Sequence, residues 1–174
     1  MDAGIAEVDE AGFVSMPTVR PKIPAGRYAL FSKSGPGVAI NLEYLIQVGA
    51  VAELILDHGW PANQIEFERG PFDALGLSGD GRVELAVEAK ARVAGPDSLQ
   101  GLLSHWVSAT NRPAADLAST SGRKLAELMR LCRSGPITVW LVADSARWPL
   151  LATYVDEQLI VRPSQAPTWG RPPT

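Results

Sequence analysis

Apolar and polar positions recur with clear periods from Asn41 onward. Asn41–His58 (NLEYLIQVGAVAELILDH) has helical spacing, with Asn41 placed to cap its start and Gly59 and Pro61 to stop it. Gln64–Arg69 alternates as a strand does, Gly70-Pro71 turns the chain, and Phe72–Leu77 predicts a second short strand. After the turn residues Ser78–Gly81 comes Arg82–Val93, the most regular strand pattern in the chain. Its Val83, Leu85, Val87, Ala89 and Ala91 share one side, and Glu84, Ala86, Glu88, Lys90 and Arg92 the other. A helix follows from Asp97 or Ser98 to about Ala109, with Leu99, Leu102, Leu103, Trp106 and Val107 as its apolar stripe. A further helix, about Ala114–Arg133, turns Leu117, Leu125, Leu128 and Cys132 inward. Ile137–Ala143 is apolar throughout and reads as a strand buried on both faces. Pro149–Glu157 predicts a short helix, and Gln158–Arg162 a short edge strand.

Residues 1–40 show few periodic signals beyond one short strand at Arg27–Phe31, and prolines and glycines punctuate them. They read as a lead-in of little regular structure, residues 41–162 as one domain, and 163–174 as a Pro-rich tail. Hairpin-linked strands followed by a helical crossover to a further strand predict an α/β fold: a central mixed β-sheet flanked by helices. The chain has 174 residues, enough for one domain with a self-sufficient core. No apolar run is long enough to span a bilayer, so no membrane association is expected. The acidic start MDAGIAEVDE lacks the basic and apolar regions of a signal peptide, and Cys132 is the one cysteine, so no internal disulfide or multi-cysteine zinc site forms. A cytoplasmic protein with a free thiol is expected.

Chemistry concentrates on Asp73, Glu88 and Lys90. Glu88 and Lys90 are two apart on a strand and leave the same face. If the preceding strand pairs with theirs, Asp73 approaches Glu88. Two converging carboxylates make a hard-cation site suited to Mg²⁺, with Mn²⁺ as a substitute, and a neighbouring lysine can orient or deprotonate water or neutralise a phosphate oxygen. The bland alternative is a wet strand face carrying a Glu and a Lys. On a helical wheel, Glu53 falls within the stripe of Leu42, Leu45, Ile46, Gly49 and Leu56, so it needs a partner, either the metal site and Lys90 or a structural ion pair. Glu43 falls with Gln47 and Asp57 on the face expected to be wet.

The stretch FDALGLSGDGRVELAVEAKAR resembles the signature of the PD-(D/E)XK phosphodiesterase superfamily, the restriction-endonuclease-like fold with core order αβββαβ. Asp73 stands at the family's aspartate, Glu88 at its second acid and Lys90 at its lysine. Glu53 best matches the family's further glutamate on the preceding helix, and Gln100 its glutamine on the following one. The resemblance implies a Mg²⁺-dependent nuclease cleaving phosphodiester bonds of nucleic acid, DNA above all, with Asp73, Glu88 and Glu53 on the metal and Lys90 and Gln100 completing the catalytic set. It covers about Asn41–Ala143 and departs from the family pattern in having Phe72, not proline, directly before Asp73. Many enzymes of this resemblance act as homodimers.

Net charge bears on partners. The chain carries −3 at pH 7, with 12 Arg and only four Lys, which disfavours a broad basic DNA-binding surface. Arg123, Lys124, Arg130 and Arg133 form its one local basic cluster, either a solvated helix face or a phosphate-tracking surface. A partner protein that supplies DNA binding would also reconcile the charge with a nuclease. The reading from a different class is a catalytically inactive, nuclease-fold interaction module of a DNA defence or repair complex. Cys132 reads as a buried small hydrophobe and Trp169 as a partner anchor.

Overall fold

The computed structural model describes residues 4–17, 19–21, 27–34, 37–109 and 119–170. Helix α1 is Leu42–Leu56, and the Asn41 side chain accepts a hydrogen bond from the Tyr44 N–H at 3.4 Å, as its capping role requires. The helix ends where Gly59 turns to φ +71° and the Trp60 N–H returns to the Leu54 carbonyl. Strands β7 (Ile65–Phe67), β8 (Ala74–Leu77) and β9 (Val83–Ala89) form an antiparallel meander. Helices α2 (Leu99–Ala109) and α3 (Thr120–Cys132) then lead to β10 (Ile137–Ala143), which lies parallel to β9. The predicted start of the second helix, residues 114–118, lies outside the described residues.

Two expectations from the sequence pattern are corrected. Pro149–Glu157 is not a helix: Ala146–Val155 forms strand β11, paired through Ala146–Ala152 with β10, and Gln158–Pro163 forms strand β12 beside it. The turn between them puts Asp156 and Glu157 at φ +50° and +63°, the left-handed geometry that an Asn-Gly pair would have announced and an Asp-Glu pair does not. The lead-in is also more regular than its pattern. Its described residues form β1 (Glu7–Val8), β2 (Phe13–Ser15), β3 (Arg20–Pro21), β4 (Arg27–Ala29), β5 (Phe31–Ser34) and β6 (Gly37–Ile40). The expected strand at Arg27–Phe31 is divided between β4 and β5.

The result is a mixed α/β architecture. A seven-stranded sheet has the order β12-β11-β10-β9-β8-β7-β3, with small sheets β1-β2-β4 and β5-β6 beside it. Side chains alternate between two cores. On one face, α1 packs over Leu85, Val87, Trp140 and Val142, together with Val14, Met16, Tyr28 and Leu30 of the lead-in. On the other, α2 and α3 pack over Phe72, Leu75, Ala86, Val139 and Leu141. Burying both faces of β9 leaves no wet side, so the polar residues of that strand must be satisfied internally. The tail drapes over its own domain: the Trp60 Nε1–H donates to the Pro167 carbonyl at 2.9 Å, and Trp169 packs edge-on against Trp60 with centroids 5.0 Å apart. Trp169 is thus anchored internally. No helix among the described residues is long and apolar enough to cross a membrane.

Gly76 shows how tightly the sheet is covered. A β-carbon there would clash with the Trp60 ring and lie 3.0 Å from the Leu85 Cβ. Gly76→Ala is expected to cost about 1–3 kcal/mol by overpacking, read as a lowered midpoint in denaturant unfolding.

Candidate active site

The β8–β9 ladder ends with Ala74 paired to Val87, which brings Asp73, the residue just before β8, to the end of β9 near Glu88. The Asp73 N–H donates to the Val87 carbonyl at 3.1 Å, and its carboxylate accepts from the Ala89 N–H at 2.6 Å. Phe72, 2% exposed, anchors the turn from beneath. The two acids therefore stand close enough at the end of β9 for the Glu88 charge to act on Asp73.

Glu88 has no solvent exposure. Both its oxygens accept hydrogen bonds from the Lys124 ammonium on α3, and its Oε1 lies 3.4 Å from the Lys90 Nζ. Lys90 continues past the end of the sheet to the Glu43 carboxylate on α1 at 3.0 Å and to Asp97 at 3.7 Å. One chain of charges, Glu43–Lys90–Glu88–Lys124, thus joins helices on opposite faces of the sheet around its end.

Burial sets the acidities. Asp73 is raised from 3.8 to about 7, first because it is desolvated and second because the Glu88 carboxylate faces it. Desolvation likewise pushes Glu88 up, against the opposing pull of Lys124 and Lys90. Burial alone would lower Lys90, but the charges of Glu88 and Glu43 outweigh it and hold the ammonium above its ordinary range. A further pair borders the site. Tyr44 on α1 is raised by burial and by its hydrogen bond to Glu68, whose own N–H donates to the Asp73 carbonyl at 2.6 Å.

Asp73, Glu88 and Lys90 converge as their pattern predicts; other expected members do not. Glu53 is engaged elsewhere. The Arg147 Nε–H donates to it at 2.8 Å, and the His58 Nε2 is 3.8 Å away, so it clasps α1 to the β10–β11 hairpin as a structural ion pair. Its place at the charge network is taken by Glu43. The cause is that α1 has two apolar faces: it buries Gln47, Ala50, Val51 and Leu54, while Leu42, Leu45 and Leu56 are exposed. At ~100° per residue Glu43 shares the first of these faces and Glu53 lies on the second. Gln100 is exposed on the first turn of α2, and its side chain makes none of the contacts among Asp73, Glu88 and Lys90.

The basic cluster divides. Arg123 and Arg130 line a groove of about 630 Å³ with Pro71 and Thr120. Arg130 is also held by Glu127 at 2.6 and 2.8 Å. Arg133 lies over the Tyr154 ring at 5.7 Å. Lys124 is buried rather than at the surface, a role its position signals: at ~100° per residue it falls between Leu128 and Leu131, inside the apolar stripe of α3. Cys132 is buried, and its thiol is pushed up to about 12, which makes it unreactive.

Among the described residues, no three carboxylate, imidazole or thiol side chains form a metal-holding group. Two neighbouring carboxylates, Asp73 and the fully buried Glu88, still supply oxygen donors that suit a magnesium ion retaining several waters, once Glu88 is freed from Lys124. Comparison with known protein families, curated proteins and solved structures finds no match to this chain.

The Asp73 carboxyl keeps its proton to higher pH in the folded chain than in the unfolded one. Its stabilising contribution is therefore complete below pH 3.8 and is lost as pH rises through about 7. In EDTA, Asp73→Asn is expected to raise the melting temperature by about 5 °C at pH 8, a gain that shrinks steadily toward pH 4. Thermal melts across that range check it; a gain independent of pH would contradict the assignment.

Proposed function

We propose that the chain is a metal-dependent phosphodiesterase of restriction-endonuclease-like topology that hydrolyses nucleic acid, with DNA as its substrate. The observation that carries this is the closeness of the Asp73 and Glu88 carboxyl groups at the end of β9, with Lys90 on the Glu88 carboxylate. The order α1-β7-β8-β9-α2-β10 supports the topology, allowing for α3 as an added helix. Asp73 and Glu88 would hold Mg²⁺, or Mn²⁺ in its place. When bound, the ion would polarise a phosphoryl oxygen and make water a better nucleophile.

The residues divide the remaining work. Glu43 and Glu88 keep Lys90 charged, so its part is to orient the attacking water and to offset phosphate charge rather than to take a proton. Glu43 aims Lys90 and is a positioning residue. Arg123 and Arg130 give the neighbouring groove two cations for backbone phosphates. The net charge of −3 fits a protein whose grip on DNA is supplemented by a partner protein or by a second copy of itself.

One observation favours a second reading. Glu43, Lys90, Glu88 and Lys124 neutralise each other without any ion, as a purely structural cluster in a non-catalytic module would. Cleavage assays with Mg²⁺ or Mn²⁺ on single-stranded, duplex and branched DNA decide between the two. Asp73→Ala, Glu88→Ala and Lys90→Ala are each expected to reduce cleavage at least ~100-fold, whereas Glu53→Ala stays within ~3-fold of wild type. No cleavage of any substrate, together with no stabilisation by either ion in thermal melts, would establish the structural module.

A further inference from the structure

Lys124 occupies both oxygens of Glu88 from within the core, its side chain only 8% exposed. A carboxylate gripped at both oxygens by an ammonium, and touched by a second one 3.4 Å away on Lys90, has no free edge to offer a divalent ion. A dication brought to that edge would also meet the ammonium at close range among buried groups, where like charges repel strongly. Ion and ammonium are therefore alternatives. The groove lined by Thr120, Arg123 and Arg130 runs along the same helix, α3, and includes Pro71, two residues before Asp73.

We propose that Lys124 is an exchangeable internal cation: its ammonium holds Glu88 in the metal-free protein and leaves it for the Arg123–Arg130 groove when Glu88 turns to the metal. The inference rests on the metal-dependent reading of the site. No bond is made or broken; one buried cation replaces another on the same carboxylate, and Lys124 becomes a third positive charge on the surface offered to a phosphate. Loading with metal and affinity for a phosphate backbone are thereby coupled, and Lys124 acts as a positioning residue for both.

Two measurements test this. Calorimetric titration with Mn²⁺ of wild type, Lys124→Met and Glu88→Gln is expected to show Lys124→Met binding at least ~10-fold more tightly than wild type and Glu88→Gln not binding. Labelling of wild-type lysines with an acylating ester, read by peptide mass spectrometry, is expected to show Lys124 reacting at least ~5-fold faster with saturating Mg²⁺ than in EDTA. Labelling needs no variant, so it decides if Lys124→Met does not fold. A labelling rate unchanged by Mg²⁺ in a protein that binds Mn²⁺ through Glu88 overturns the exchange and leaves the metal site standing. Absence of Mn²⁺ binding by both wild type and Lys124→Met overturns the exchange and the metal-dependent reading together.

Discussion

A carboxylate with no contact to water stands at the centre of this fold. Glu88 lies on a strand covered on both faces, and an isolated charge there would be prohibitively costly. Its two lysine partners come from different places in the chain: Lys90 from the end of the same strand, Lys124 from a helix on one face of the sheet. Replacing such a pair with apolar residues would serve stability as well or better. Its persistence in the core is more easily understood through what the charges can do than through what they hold together.

The sheet end is what makes the cluster possible. Where β9 stops, side chains from opposite faces can meet without crossing the hydrogen-bonded ladder. Glu43 reaches round from α1 and Lys124 comes from α3, with Lys90 linking them through Glu88. Asp73 joins because the β8–β9 pairing brings it to the end of β9 and because the Ala89 N–H fixes its carboxylate. A one-residue slip in that register would send Asp73 to the other face. The close fit of Gly76 under Trp60, itself held by the tail, restrains β8 against such a slip.

The electrostatic character of the site follows from the same geometry. Asp73 faces an acid and is raised; Lys90 faces acids and is held charged. A pocket that strains one carboxylate while keeping a lysine cationic is poised to accept positive charge at the first and to present it at the second.

The mixed α/β character and the shared strand face of Glu88 and Lys90 were legible in the sequence, because strand periodicity has a period of two and places residues by parity alone. The Asn41 cap and the Gly59 stop were legible for an equally local reason. Glu43 and Glu53 were not separable, since α1 carries two apolar faces and only packing against β9 and β10 chooses the buried one. Lys124 carried a local sign, a lysine inside an apolar stripe, but its partner is 36 residues away and had to be supplied by the fold. The β11–β12 hairpin was hidden because Asp156 and Glu157 adopt their left-handed turn under the demand of the sheet and not by their own preference. Local periodicity thus determined which elements exist and which side chains share a strand face. Which helix face is buried, and which distant charges meet, depended on desolvation and pairing energies that exist only once the layers are packed.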